Sequence, residues 1–381
     1  MAFLSRYWAY VKKNVLGKFL DHSFVIITTI IVIGTVLFNF ITPWWFTPLA
    51  SNWGSLDQTI VITLWVTGVA FVLISGFILY CVVKFRYREG HKAKYEPENT
   101  KLELWLTVVT TIGVIVMLAP GLVAWQDYID LPEDALEVEG VGQQWTWSYR
   151  FPGDDGIYGN TNGRLISSKN TFGIDPTDAY GQDDILVRDN KVHLPINTPV
   201  VFQLRSKDVL HDFYIPQFRA KMDLVPGQHT NLWFIPTVLG TFEVACAEFC
   251  GTGHWAMRGE ITVDEMADFQ TWLSQHPTFV ETMNESSEGR GRQIVQSLGC
   301  VACHSDDGTT RIGPTWRGSF GTQRNLVNGE TLNIDDAYIK KSIMNPSIQI
   351  AAGFASVMPA YNLSEEELDA IVEYMKNLSV E

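Results

Sequence analysis

Three long apolar runs open the chain, at Phe24–Ile41, Thr59–Val83 and Leu102–Ala124. A membrane span needs about 20 apolar residues, so these runs predict transmembrane helices near 24–41, 59–83 and 101–124. From Leu136 the texture changes to short alternating runs: 136–140, 144–151, 185–188, 200–206, 229–235, 240–245 and 259–263. They are rich in Val, Phe, Thr and Trp and bounded by Pro, Gly, Asn and Asp, which predicts strands of a sandwich or Greek-key barrel. A Gly-, Asp- and Asn-rich stretch from Pro152 to Asp184 reads as a long surface insertion, with Asp154-Asp155 and Asp183-Asp184 solvated. Thr278 to Gly291 is polar and reads as a linker. Ser364 to Leu378 carries the pattern of a capped amphipathic helix. The expected fold class is therefore a multidomain membrane protein: a membrane region at 1–125, an all-β domain at 126–277, a linker at 278–287 and an all-α domain at 288–381.

Charge orients the helices. The leader carries Arg6, Lys12, Lys13 and Lys18 against Asp21, and the link between the second and third runs holds Lys84, Arg86, Arg88, Lys92, Lys94 and Lys101. The loop 42–58 holds no lysine or arginine, so the positive-inside rule puts the basic link in the cytoplasm and everything after Trp125 outside. The first run could be a signal peptide, but its apolar core is long and Pro48-Leu-Ala50 is a poor cleavage signal; a retained helix with Trp44 and Trp45 as interfacial anchors is the expectation. The 381 residues are 46% hydrophobic and carry a net charge of −14. That balance excludes nucleic acid as a partner and suits a basic protein partner.

Two stretches carry chemistry. Cys246-Ala-Glu-Phe-Cys250-Gly-Thr-Gly-His254-Trp-Ala-Met257, with a distant partner at His211, gathers soft ligands at a density that suits copper. Two thiolates at i and i+4 can bridge two metal ions, with His211, His254 and Met257 capping and the Glu248 carbonyl as a weak extra ligand. A Cys246–Cys250 disulfide and a zinc site are the rivals; a disulfide needs neither the histidine nor the methionine, and Met257 is a poor zinc ligand. The second stretch, Cys300-Val-Ala-Cys303-His304, is the attachment pattern of c-type haem. Cys81 is expected to be a small buried residue, and His22, His91, His193, His229 and His276 receive no role.

The run Cys246-x-Glu248-x-Cys250-x3-His254-x2-Met257, with Asp208-Val-Leu-His211 and Phe218-Arg-Ala-Lys-Met-Asp223-Leu-Val-Pro-Gly227 before it, resembles the binuclear CuA domain of cytochrome c oxidase subunit II. The related quinol oxidase subunit lacks these ligands, so the resemblance implies a cytochrome donor. With the haem motif added, the whole chain resembles the caa type: membrane hairpin, cupredoxin-like CuA domain, then a fused class I cytochrome c. The resemblance implies that Trp145 in Gln144-Trp-Thr-Trp-Ser-Tyr149 is where electrons enter, although an aromatic run on a strand is more often core. It also implies that the Pro314 carbonyl receives the His304 imidazole proton, and that Met358 is the sixth iron ligand ahead of Met344 and Met375. The Glu248 carboxylate would face magnesium at the border with subunit I. Glu103, opening the third span, would lie near the mouth of a proton path, although the neighbouring tryptophan stands one place closer than in the usual pattern; a hydrated interfacial carboxylate is the alternative.

The implied function is the electron-input subunit of a haem-copper terminal oxidase in a bacterial inner membrane, with both metal domains periplasmic. Subunit I, subunit III and a cytochrome c or respiratory complex are the implied partners. Two other functions stay open at this point: a CuA-bearing nitric oxide reductase subunit, and a membrane-tethered carrier without a catalytic partner.

Overall fold

The computed structural model describes residues 17–42, 47–86, 90–92, 95, 97–284 and 287–378. The expectations resting on Arg6, Lys12, Lys13, Trp44, Trp45, Arg88, Lys94, Glu285 and Ser286 lie outside those residues. Two compact units form: one carries the apolar helices as far as Asp127, the other joins Leu49–Trp53 to everything from Tyr128 onward.

The first unit contains α1 (Gly17–Ile41), α2 (Gly54–Lys84) and most of α3 (Thr100–Ile129). All three are long and apolar enough to cross a membrane, and many of their described apolar side chains, such as Ile30, Leu73 and Leu104, are exposed. In water that surface would cost far more than any fold could recover; in hydrocarbon it costs nothing, and the helix satisfies its own backbone.

The second unit begins with Leu49–Trp53, within the loop expected between the first two helices. Residues 49–53 lie along the β-domain, with Ala50 N–H donating to the Gln217 carbonyl at 2.8 Å and Trp53 Nε1 to the Trp233 carbonyl at 2.9 Å. Leu49–Trp53, just before α2, thus belong to the β-domain's surface rather than to the helices.

The β-domain has ten strands: β1 (Leu136–Gln143), β2 (Thr146–Phe151), β3 (Ile185–Val187), β4 (Lys191–Pro195), β5 (Val200–Ser206), β6 (His211–Ile215), β7 (Ala220–Leu224), β8 (Thr230–Phe234), β9 (Gly240–Cys246) and β10 (Arg258–Asp264). They form two five-stranded sheets, ordered β3-β2-β1-β5-β8 and β4-β10-β9-β6-β7, with β1–β5 and β4–β10 parallel. This is the cupredoxin-like arrangement expected. Aromatic rings from both sheets meet between them: Phe213 lies 5.2 Å from Trp147 and 5.2 Å from Phe202, and Phe202 lies 5.7 Å from Phe234. Each such ring fully buried contributes on the order of 1.5–3 kcal/mol. His211 begins β6, where pairing with Leu224 of β7 fixes its backbone.

The 152–184 stretch is not a loose surface insertion. Phe172 and Ile174 are fully buried and pack with Val141, Leu186 and Phe279. Asp184, expected to be solvated, is fully buried and pairs with Arg150 at 2.9 Å. Arg150 also bonds Glu139 at 2.5 Å and the Gly159 carbonyl at 3.1 Å, while Arg205 bonds Glu139 from the other side. Buried charges are tolerated here because each is paired and hydrogen-bonded. Burial pushes Asp184 up to about 6 even against the adjacent guanidinium.

The described part of the polar 278–287 stretch, residues 278–284, is likewise no bare linker. After α4 (Met266–Leu273), Thr278 caps α5 (Phe279–Met283) through a reciprocal capping box with Glu281, and Phe279 and Thr282 are buried. The C-terminal domain then packs α6 (Ser287–Ser297), α7 (Asp336–Met344) and α8 (Glu365–Asn377) around Ile294, Val295, Trp316, Ile339, Ile371 and Met375. A short hairpin, β11 (Gln323–Asn325) with β12 (Thr331–Asn333), departs from the all-α expectation.

Candidate metal centres

The sulfur loop leaves β9 at Cys246 and rejoins the sheet at Arg258, so Cys246 and Met257 sit at its two ends; the Cys246 N–H donates to the Met257 carbonyl at 3.2 Å. Sγ of Cys246 and Sγ of Cys250 are 3.7 Å apart. A disulfide needs about 2.05 Å, so the disulfide alternative is not what the fold builds, and both thiols are free. Around the pair stand His211 Nδ1, 3.9 Å from Cys246 Sγ, His254 Nδ1, 3.6 Å from Cys250 Sγ, and Met257 Sδ, 3.8 Å from Cys250 Sγ. The Glu248 carbonyl lies 3.1 Å from Cys246 Sγ. His211, Cys246 and Cys250 are all buried, with ligand atoms within 4.8 Å of one another; among the described residues no other His, Cys, Asp and Glu side chains make such a group of three or more. Two soft sulfurs flanked by two imidazoles and a thioether are the donors that copper takes and that magnesium or calcium refuse.

The loop's electrostatics prepare it. The hydrogen bond between the two sulfurs lowers the pKa of Cys246 and raises that of Cys250, so the pair holds one thiolate readily and releases its second proton when a cation arrives. Burial lowers the pKa of His211, but its bonds to Asp208 and Cys246 raise it further, and the net direction is up. Asp208 Oδ1 lies 2.8 Å from His211 Nε2, which leaves Nδ1 to face the sulfurs. Trp147 meets the His211 ring edge-on at 6.2 Å.

Sequence reasoning assigned Asp208 no role, although it stands in the motif three residues before His211. Gln144 was also missed. Its backbone N–H donates to Asp208 Oδ2 at 2.8 Å and its side-chain amide to the Cys250 carbonyl at 2.6 Å. Trp145, next to it, is 6% exposed and donates from Nε1 to the same carbonyl at 3.3 Å.

The second centre is built on a turn. Cys300–Ala302 forms one 3₁₀ turn, and His304 N–H donates to the Cys300 carbonyl at 3.0 Å, which brings both thiols and the imidazole to one cleft. His304 Nδ1 lies 2.8 Å from the Pro314 carbonyl, and its ring stacks on Trp316 at 5.1 Å. That bond fixes the ring and frees Nε2. Burial lowers the pKa of His304, favouring the neutral imidazole that a metal requires. The cleft, about 1330 Å³ including its open mouth, is lined by Cys300, Cys303, His304, Met358 and Trp145. Met375 also borders it but belongs to the buried core, and Met344 does not line it. An apolar cleft with two thiols, an oriented imidazole and a thioether fits a covalently attached haem.

Of the remaining expected residues, Glu248 is half-buried on the sulfur loop and Glu103 is exposed in the first turn of α3. His193 stacks on Trp272 at 4.5 Å and bonds Asp264 at 2.5 Å, while His276 meets the same indole edge-on, so both are structural.

Residues 136–265 match the family described as cytochrome c oxidase subunit II, periplasmic domain, and residues 289–379 match cytochrome c. The alternative cytochrome c oxidase subunit 2 of Bradyrhizobium diazoefficiens is 51% identical over 67% of this chain and 92% of its own length. The cytochrome c oxidase subunit 2 of Alkalihalophilus pseudofirmus is 27% identical over 82% of this chain and 84% of its own. The solved periplasmic domain of subunit II of cytochrome oxidase from Bradyrhizobium japonicum is 28% identical, covering 38% of this chain and 96% of that one, with a TM-score of 0.29.

An apolar-helix region, a cupredoxin-like domain and a cytochrome c domain in one chain define a membrane-anchored electron-transfer subunit. The chain belongs to the cytochrome c oxidase subunit II family. It is the electron-input subunit of a haem-copper oxidase, works with subunit I, and carries the domains that imply CuA copper and haem c.

Proposed function

We propose that the copper pair is held by the thiolates of Cys246 and Cys250, Nδ1 of His211 and of His254, Sδ of Met257 and the Glu248 carbonyl, within residues 126–277. Residues 288–381 hold the haem through Cys300 and Cys303, with His304 and Met358 toward the iron and Pro314 orienting His304. When bound, the copper pair and the haem each accept and release one electron with little rearrangement. The protein's part is to fix the donors beforehand. Asp208 orients His211, Pro314 orients His304, and Trp145 spans from the haem cleft to the Cys250 carbonyl, so it is the natural route between the two centres.

Further parts of this reading follow from the resemblance. A cytochrome c or a respiratory complex delivers electrons to the haem, and subunit III accompanies subunit I. The Glu248 carboxylate offers oxygen to magnesium at the subunit I border, and Glu103 helps protons enter. The chain is multi-pass in a bacterial inner membrane with both metal domains periplasmic.

The observation that carries the reading is the pair of sulfurs 3.7 Å apart, flanked on both sides by imidazole Nδ1 atoms. Metal and haem quantitation on the purified complex tests it. Two coppers and one covalent haem per chain, with a paramagnetic signal shared over both coppers, are expected; a single copper of blue type contradicts it.

A further inference from the structure

The 152–184 insertion has no part in either metal site, yet it is packed into the second unit through Phe172 and Ile174. Its two ends are clamped by the buried Arg150–Glu139–Asp184 cluster. Its turn at 167–172 is braced by Asn170, whose side chain exchanges hydrogen bonds with the Ile174 backbone at 2.8 and 2.9 Å, and by Arg205 donating to the Phe172 carbonyl at 3.1 Å. A turn so tightly held would ordinarily point into water, but Ser168 and Thr171 are buried. What covers this turn includes the C-terminal domain. Ser297 at the end of α6, fully buried, donates from Oγ to the Ser168 carbonyl at 2.9 Å. Ser168 Oγ bonds the Glu367 carboxylate in the first turn of α8. The α6 helix also lies against β2, where Thr146 and Ser148, polar residues that would face solvent in an isolated sandwich, are buried.

The same contact closes Trp145. Gly253 of the sulfur loop and Gly299, just before the haem turn, both approach it: a Cβ on the first would fall 2.3 Å from Trp145 Cδ2, and one on the second 2.7 Å from Trp145 N. Only glycine permits both approaches: the copper loop lies against the indole face, and the haem turn against the Gln144–Trp145 backbone that carries it.

We propose that the 152–184 insertion is a docking bed for this chain's own haem domain, gripping α6 and α8 so that Trp145 is closed to soluble proteins and external donors must dock on the haem domain instead. A loose tether would leave the domain to find Trp145 by diffusion; the bed holds it there. This rests on the haem and copper assignments above only for its electron-transfer readout, in which one electron and no proton moves between the two sites.

The test uses the complete oxidase. Amide hydrogen exchange at 167–172 in the unaltered protein is expected to be as slow as in the strands of the β-domain; exchange as fast as in an open loop overturns the proposal, whatever the metals do. Ser168→Asp sets a carboxylate against Glu367. It should release that protection, slow haem-to-copper electron transfer about tenfold or more, roughly 1.4 kcal/mol per tenfold, and let added soluble cytochrome c reduce copper directly. Adding Glu367→Gln, which keeps the helix cap because Gln serves the capping box as Glu does, should restore all three. Ser168→Asp with unchanged exchange and unchanged transfer overturns the docking role.

Discussion

The indole Nε1 of Trp145 donates to the carbonyl oxygen of Cys250 across 3.3 Å, and the neighbouring Gln144 amide donates to the same oxygen across 2.6 Å. The β1–β2 turn thereby holds the sulfur loop from one side. Gln144 N–H also bonds Asp208, and Asp208 bonds His211, so the same turn holds the distant histidine as well. The position of the sulfur loop and of His211, and with them the proposed electron route, are thus set by one short segment.

Trp145→Phe keeps an aromatic ring but removes the donor to Cys250. Copper content should stay at two, because Gln144 still holds the carbonyl, while reduction of copper by the attached haem slows about tenfold, a loss of roughly 1.4 kcal/mol in barrier terms. Rapid mixing with metal analysis on the same sample checks this; an unaltered rate would remove Trp145 from the route.

Asp208→Asn weakens the partner that leaves His211 Nδ1 facing the sulfurs. Loss of such a supporting carboxylate typically costs about 10–100-fold in metal affinity. Competition against a copper chelator should show that loss, and equal affinity for the two proteins would assign Asp208 a purely structural place.

Much of this was legible in the sequence, for physical reasons that differ by segment. The apolar helices declare themselves because hydrocarbon demands an unbroken run, and Cys246, Cys250, Cys300 and Cys303 because covalent or metal chemistry fixes their spacing. The strands β4, β6 and β7 were hidden: each is five residues long, and β6 begins with His211-Asp212, a polar pair that reads as a loop until β7 and β9 bury it. The insertion was misread because its Gly, Asp and Asn content looks solvated, whereas Asp184 is matched by Arg150, thirty-four residues away in sequence. The 278–287 stretch looked like a linker for the same reason; polarity there serves a capping box. Asp208 and Gln144 support the site through bonds that no spacing rule announces.

Met358→Ala should abolish the methionine-to-iron charge-transfer band, while Met344→Ala, which alters a residue outside the haem cleft, should leave it intact. Visible and near-infrared spectra of the two oxidised variants decide between them; the reverse pattern would move the axial ligand to Met344.

Glu103→Ala should lower steady-state turnover several-fold when proton uptake limits, with the rate of electron arrival at copper unchanged. Comparing oxygen consumption with single-turnover copper reduction separates the two. Unaltered turnover would leave Glu103 as a hydrated carboxylate at the membrane face.

The central claim is that electrons reach copper through the fused haem domain, across Trp145. Rapid mixing of the fully oxidised, intact oxidase with its reduced donor tests it most directly, by following the haem and copper absorptions separately. The attached haem should be reduced first, and copper should follow with a lag matched to haem reoxidation. Copper reduced before the attached haem would contradict it.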